Sequence, residues 1–227
     1  MPEKTKWDKI VAVKLKVAEL LETIQGEGTR AGRLCALVRL AGCNLRCSYC
    51  DTAYARVAED AQERTIAEVV DEVEASGLEL VLVTGGEPLL QAGCAELLER
   101  LADAGLEVLV ETNGSIDIAD LDERVVRIMD IKCPASGESD KVRWENIRLL
   151  GPADEVKFVI CDRGDYDWAA QVIQRERLSE RCCVLLGPAF GALEPRILAE
   201  WMLADRLEAR LQLQLHKLIW PDEGRGR

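Results

Sequence analysis

Seven short apolar runs rich in β-branched residues punctuate this chain, and most of them are separated by stretches of helical periodicity. The runs are Cys35–Leu40, Glu79–Thr84, Glu107–Glu111, Val125–Ile131, Val156–Cys161, Cys183–Leu186 and Arg210–Leu215. Between them Thr65–Ala75, Cys94–Ala104, Trp168–Leu178 and Pro195–Leu207 repeat apolar residues at three-to-four spacing. Pro195 suits a first helical position, and Gly77 and Gly105 closely follow two of the helices. Strands that alternate with helices imply a mostly parallel sheet with right-handed crossovers. Seven strands fall short of eight clean βα units, so the pattern predicts an α/β fold of the incomplete (β/α)6-barrel type. An open doubly wound sheet is the alternative. No linker, low-complexity tract or repeat divides the 227 residues, which read as one domain with polar ends at about 1–10 and 221–227.

The barrel is favoured by where the unusual residues fall. Cys43–Cys50 follow one strand, Gly85-Gly86-Glu87-Pro88 another and Thr112-Asn113-Gly114 a third. Lys132 ends the fourth, Gly187-Pro188 the sixth, and His216-Lys217 the last. Residues at the carboxyl ends of parallel barrel strands converge on one site.

Charge narrows the partners. With 29 basic and 41 acidic side chains the net charge is −12, which argues against a broad phosphate-backbone footprint and hence against nucleic acid. No apolar run reaches the eighteen or so residues of a membrane span, and Met1 to Lys16 is too charged for a secretion signal. A cytoplasmic protein is expected.

Nine cysteines, an odd number in a chain of this length, are not a disulfide framework. Cys43, Cys47 and Cys50 crowd together, whereas Cys35, Cys94, Cys133 and Cys161 are single and suit burial. Three thiolates at the C-x-x-x-C-x-x-C spacing can hold one face of an iron–sulfur cluster and leave one iron open. Structural zinc is the alternative, but it would normally want a fourth ligand, and no second C-x-x-C pair is present.

This cysteine loop after an early strand resembles the radical S-adenosylmethionine superfamily, and Thr84-Gly85-Gly86-Glu87-Pro88 is similar to the segment that meets the cofactor's amino group there. Three further segments resemble the 7-carboxy-7-deazaguanine synthases within it: Thr23-Ile24-Gln25-Gly26-Glu27-Gly28, Val38-Arg39 leading to Gly42-Cys43-Asn44, and Asp51-Thr52. Taken singly, these could be a plain turn, a surface arginine and a helix-start signal. Together, from about Glu19 to Trp220, they imply a lyase that contracts 6-carboxy-5,6,7,8-tetrahydropterin to 7-carboxy-7-deazaguanine with loss of ammonia.

The resemblance also implies residue roles. Cys43, Cys47 and Cys50 would hold a [4Fe–4S] cluster, and Thr52 would hold Mg2+. Tyr49, Asp51, Gly85, Gly86, Glu87, Asp130 and Lys132 would bind S-adenosylmethionine. Ile24, Gln25, Gly26, Glu27, Arg39, Thr84 and His216 would bind the pterin, with Arg39 on its carboxylate. No side chain is assigned as catalytic, because the cofactor carries the radical. A flavodoxin- or ferredoxin-type reductant and a homodimer are implied as well. Asp130-Ile131-Lys132 keeps only the lysine of the family's Ser-Pro-Lys, and Gln214-Leu215-His216-Lys217 stands where the family has QTHK. Some members offer a terminal carboxylate near the residue matching Pro221, whereas this chain runs six residues further. The rival readings are a glycyl-radical enzyme activase, which shares the cysteine loop, and a non-enzymatic iron–sulfur electron carrier.

Overall fold

The computed structural model describes residues 13–57, 59 and 61–221, so the expected polar ends lie outside the described residues except for Pro221. The expected strands form at β2 (Leu34–Leu40), β4 (Leu80–Gly85), β5 (Glu107–Thr112), β6 (Val126–Asp130), β7 (Glu155–Ile160), β8 (Cys183–Pro188) and β9 (Arg210–Leu211). Two strands were not expected: β1 (Lys14–Ile24) and β3 (Gln62–Thr65). All belong to one sheet of order β3-β1-β2-β4-β5-β6-β7-β8-β9. β1 pairs antiparallel with β2 and with β3, and every pairing from β2 to β9 is parallel.

From β2 to β9 the strand order rises with the chain and never reverses. Right-handed crossovers taken in one direction keep every connection on the same face, so the sheet curls inward and the helices lie outside. A doubly wound sheet needs a reversal of order, and this chain has none. The fold is therefore the partial barrel, with β3 and β9 at its two edges.

The helices are α1 (Ile66–Ala75), α2 (Cys94–Asp103), α3 (Arg163–Glu176), α4 (Pro195–Asp205) and the short α5 (Leu215–Ile219). Thr65 and Glu68 cap α1 reciprocally, and Gly105, with φ at 86°, closes α2 as Leu106 N donates back to Leu101 O. The α3 helix starts earlier than its apolar repeat suggests, because Asp162 caps it through Asp165 N. The buried faces of α1 to α4 share one core with alternate strand residues such as Val38, Val83, Val110 and Phe158.

The β5–β6 and β6–β7 connections, where no helical repeat is expected, carry no α-helix; the second contains 3-10 turns, and Asn146 ties the two together by donating to Gly114 O and Ile116 O. Two expectations are corrected here. Lys132 lies just past β6 rather than on it. His216 and Lys217 sit on α5, not at a strand end, because β9 closes after only two residues. Among the described residues no helix is long and apolar enough to cross a membrane.

Candidate active site

Strand residues alternate between the two faces of the sheet, and the inward set changes character along each strand. At the amino ends it is apolar: Cys35 and Leu37 on β2, Leu80 and Leu82 on β4, Leu109 on β5, and Val126 and Ile128 on β6 form a small inner core. Two residues further on, the same parity yields Arg39, Thr84, Glu111 and Asp130, and β7 adds Lys157. These side chains line a cavity of about 380 Å³ at the carboxyl ends of the strands.

The cysteine loop forms one wall of this cavity. Gly42, with φ at 101°, turns the chain out of β2. Arg46 donates to the carbonyls of Cys43 and Leu45, and Arg56 to that of Cys47. Ser48 is bonded to Ser136 O and Ala135 O, so the loop is fixed from both sides. Cys43, Cys47 and Cys50 all face the cavity. Burial raises the Cys43 and Cys47 thiols above their ordinary range, so both keep their protons until a metal draws them off. Among the described residues no three His, Cys, Asp or Glu side chains converge as a mononuclear metal site would. A cluster gives each thiolate its own iron and needs no such convergence.

The Gly85-Gly86 turn packs against this loop. A side chain on Gly86 would come within 2.6 Å of Cys43 Cβ, and Glu87 N donates to Gly42 O at 2.8 Å. Glycine is needed there for backbone-to-backbone packing. Glu87 itself is corrected out of the cavity lining. It is fully buried and accepts from Thr112 Oγ1 at 2.9 Å, Asn113 N at 2.7 Å and Leu89 N at 3.1 Å. Its carboxylate ties the turn to the end of β5.

At the centre of the cavity Lys157 joins three carboxylates. It donates to Glu27 at 2.8 Å and to Glu111, and lies 3.4 Å from Asp130, which Lys132 also holds at 2.8 Å. Burial disfavours every one of these charges, but mutual attraction prevails for most: Glu27 and Asp130 fall below the usual carboxylate range, and Lys157 rises. Glu111 goes the other way. Burial, with Glu27 and Asp130 nearby, raises it despite Lys157. Asp130 Oδ1 is buried without a hydrogen-bond partner, an acceptor suited to a ligand hydroxyl or ammonium.

The β1–β2 loop closes the barrel floor. Thr29 and Arg30 bond to buried Glu155, Arg30 and Arg33 to Glu107, and Gly28 N to Gln212 Oε1 at 3.0 Å. This anchorage presents Ile24, Gln25, Gly26 and Glu27 to the cavity. Gln212 and Gln214 donate to the Glu27 carboxylate, and Leu215 N to Gly26 O, so the loop and α5 form one wall that carries His216.

Every residue expected in the site therefore lines this cavity except Glu87. Tyr49, Asp51 and Thr52 line it beside the cysteines, with Asp51 paired to Lys217 at 2.6 Å. The Thr52 hydroxyl makes no capping bond to the turn that follows. Lys157, Glu111, Asn113 and Arg56 also line the cavity and were not expected. A signal for the first two exists in the sequence. Each is a charged residue on the inward parity near the carboxyl end of a buried strand.

Comparison with known proteins agrees with this geometry. The sequence matches the radical SAM superfamily over residues 37–186. It is 46% identical over 215 residues to the 7-carboxy-7-deazaguanine synthase of Chlorobaculum tepidum, covering 93% of this chain and 97% of that one. To the Koribacter versatilis enzyme of the same name it is 40% identical over 227 residues, covering 93% and 100%. The crystal structure of QueE from Escherichia coli has the same fold, with a TM-score of 0.69 at 19% identity over 89% of this chain and 95% of that chain.

Proposed function

Because the chain belongs to the radical SAM superfamily and, within it, to the 7-carboxy-7-deazaguanine synthases, we propose that it converts 6-carboxy-5,6,7,8-tetrahydropterin to 7-carboxy-7-deazaguanine with loss of ammonia. This is a step toward 7-deazapurine nucleosides such as queuosine. The observation that carries the reading is that one cavity gathers the three-thiol loop, Arg39 and the Gln25–Glu27 loop. Cys43, Cys47 and Cys50 would hold a [4Fe–4S] cluster, which with bound S-adenosylmethionine would supply the radical chemistry.

The side chains do the rest. Asp130 with its unpartnered oxygen, Lys132, Tyr49, Asp51 and the Gly85-Gly86 backbone make the cofactor half of the cavity. Glu87 serves that half indirectly, by fastening the glycine turn. Arg39 offers the substrate carboxylate a planar pair of donors. Gln25, Glu27 and Thr84 face the hydrogen-bonding edge of the pterin. Burial lowers the His216 imidazole although Glu27 and Asp51 pull against it, so a neutral ring offers one donor and one acceptor. Departing ammonia needs a proton. Lys157 carries one within the cavity, and Glu111 beside it has its carboxyl raised by burial and by the nearby Glu27 and Asp130. Thr52 would supply one oxygen for Mg2+, with the substrate's own oxygens as further ligands.

The remainder of the reading is a single-domain cytoplasmic protein that works as a homodimer. Its reductant is a flavodoxin- or ferredoxin-type protein, since sulfonium cleavage needs a low-potential electron. The test is an anaerobic assay of the iron-reconstituted protein with S-adenosylmethionine, magnesium and the carboxylated tetrahydropterin. Product and ammonia should form in equal amounts, and deuterium from the attacked substrate carbon should appear in S-adenosylmethionine. Replacing Cys43, Cys47 or Cys50 with Ala should remove iron and turnover, whereas Cys35→Ala and Cys94→Ala should retain both. Cleavage that ignores the pterin but responds to a protein partner would favour the activase instead.

A further inference from the structure

β1 contains an irregularity beside the cavity. Val17 pairs with Leu40 and Glu19 with Arg39, so β1 advances two residues while β2 advances one, and Ala18 is the extra residue. Such a bulge reverses side-chain parity. Before it, Leu15 and Val17 point outward into the core beneath the helices; after it, Leu21 joins the inner core and Thr23 lines the cavity. Without the bulge Glu19 would project into the outer apolar layer. With it, Glu19 stands on the inner face directly across from Arg39.

There the carboxylate has a defined task. Glu19 Oε2 accepts from Arg39 Nε at 2.9 Å and from the Tyr54 hydroxyl at 2.6 Å. Both ion-pair partners are nearly buried, with side chains 8% and 11% exposed. A carboxylate beside an anion-binding arginine is costly on its face, because it neutralises part of the charge the ligand needs and is itself desolvated. Geometry resolves the conflict. A guanidinium has a side edge carrying Nε and an end edge carrying both Nη atoms, and either can hold a carboxylate by two parallel bonds. Glu19 occupies the side edge, so the end edge is left for a second carboxylate.

We propose that Glu19, braced by Tyr54, is a positioning residue that fixes Arg39 so its end edge meets the substrate carboxylate. The proposal rests on the assignment of Arg39 to that carboxylate. Tyr54 follows Thr52 by two residues, so the same carboxylate ties the arginine to the segment leaving the cysteine loop.

The test uses the cluster-loaded enzyme and reads the dissociation constant of the carboxylated pterin against that of tetrahydropterin lacking the carboxylate. Glu19→Ala should weaken the carboxylated ligand by roughly 10–100-fold, the range for a lost hydrogen bond to a charged group. The ligand without a carboxylate should be nearly unaffected, KM should rise more than kcat falls, and iron content should stay unchanged. In an Arg39→Ala background Glu19→Ala should add less than about twofold. Glu19→Gln, which keeps an oxygen acceptor, should recover much of the affinity. If Glu19→Ala does not fold, Tyr54→Phe takes its place, with a severalfold loss expected in the wild-type background and none with Arg39→Ala. Losses that simply add, or that affect both ligands equally, overturn the proposal while leaving Arg39 intact. An Arg39→Ala enzyme that binds the carboxylated ligand normally overturns the arginine assignment and the proposal together.

Discussion

Burial pushes the Glu87 carboxyl up to about 7, even though Thr112 Oγ1 and the backbone N–H groups of Leu89 and Asn113 donate to it. The folded state therefore holds this proton more tightly than the unfolded chain, whose carboxyl titrates near the ordinary 4.5. The stability that results is full below that value and is lost as pH rises through about 7, at a cost on the order of 3 kcal/mol. Wild type should therefore lose stability between pH 5 and pH 8 relative to Glu87→Gln, which has no proton to release. Urea unfolding of both proteins at the two pH values measures this, and parallel losses would reject the assignment. Residue type alone suggested a ligand contact here. The structure surrounds the carboxylate with three donors and leaves it outside the cavity lining.

The loop between β1 and β2 carries two glycines with positive φ, Gly28 at 79° and Gly32 at 91°. They differ in surroundings. A Cβ on Gly28 would lie 2.5 Å from the Glu155 carboxylate, whereas one on Gly32 meets nothing within 4 Å. Gly32→Ala should cost only the left-handed backbone, about 1–2 kcal/mol. Gly28→Ala adds displacement of the buried Glu155, and so loosens the anchor that presents Gln25 and Glu27. The expected outcome is a larger stability loss for Gly28→Ala, and weaker pterin binding in that variant alone. Unfolding and ligand-binding measurements on both proteins check it, and equal effects on binding would mean that the floor contacts do not position the loop.

Across the whole molecule, the site draws on segments from Thr23 near one end of the chain to Lys217 near the other. Magnesium belongs at this scale. A lone hydroxyl is a weak ligand, so metal held by Thr52, as proposed, would depend on substrate oxygens brought by Arg39 and the β1–β2 loop. Metal and substrate should then strengthen each other's binding reciprocally, by about 1–3 kcal/mol for a typical coupling. Thr52→Ala should lose the magnesium response while keeping iron and substrate-free S-adenosylmethionine cleavage, and Thr52→Ser should retain much of it. Turnover measured against magnesium concentration for the three proteins decides. An unchanged response in the Ala variant rejects the ligand assignment; in the structure the hydroxyl makes no capping bond and lies 3.8 Å from Cys50 Sγ.

By itself the sequence determined the parallel α/β architecture, because periodicity is local and Cys43–Cys50 and Thr84–Pro88 each follow a strand. It also named most of the residues that line the cavity, since barrel strands bring their carboxyl ends together whatever lies between them. Tertiary structure decided the rest. β1 escaped notice because the extra residue at Ala18 breaks its alternation midway, and that same break turns Glu19 toward Arg39. Lys157 reads locally as one charge in an apolar strand, and only the curl of the sheet brings Glu27, Glu111 and Asp130 around it. Glu87 lies outside the cavity lining, and a motif names a residue without saying which way its side chain points. Direction depends on which neighbour supplies the donors, and for Glu87 those include Thr112 and Asn113, 25 and 26 residues further along the chain.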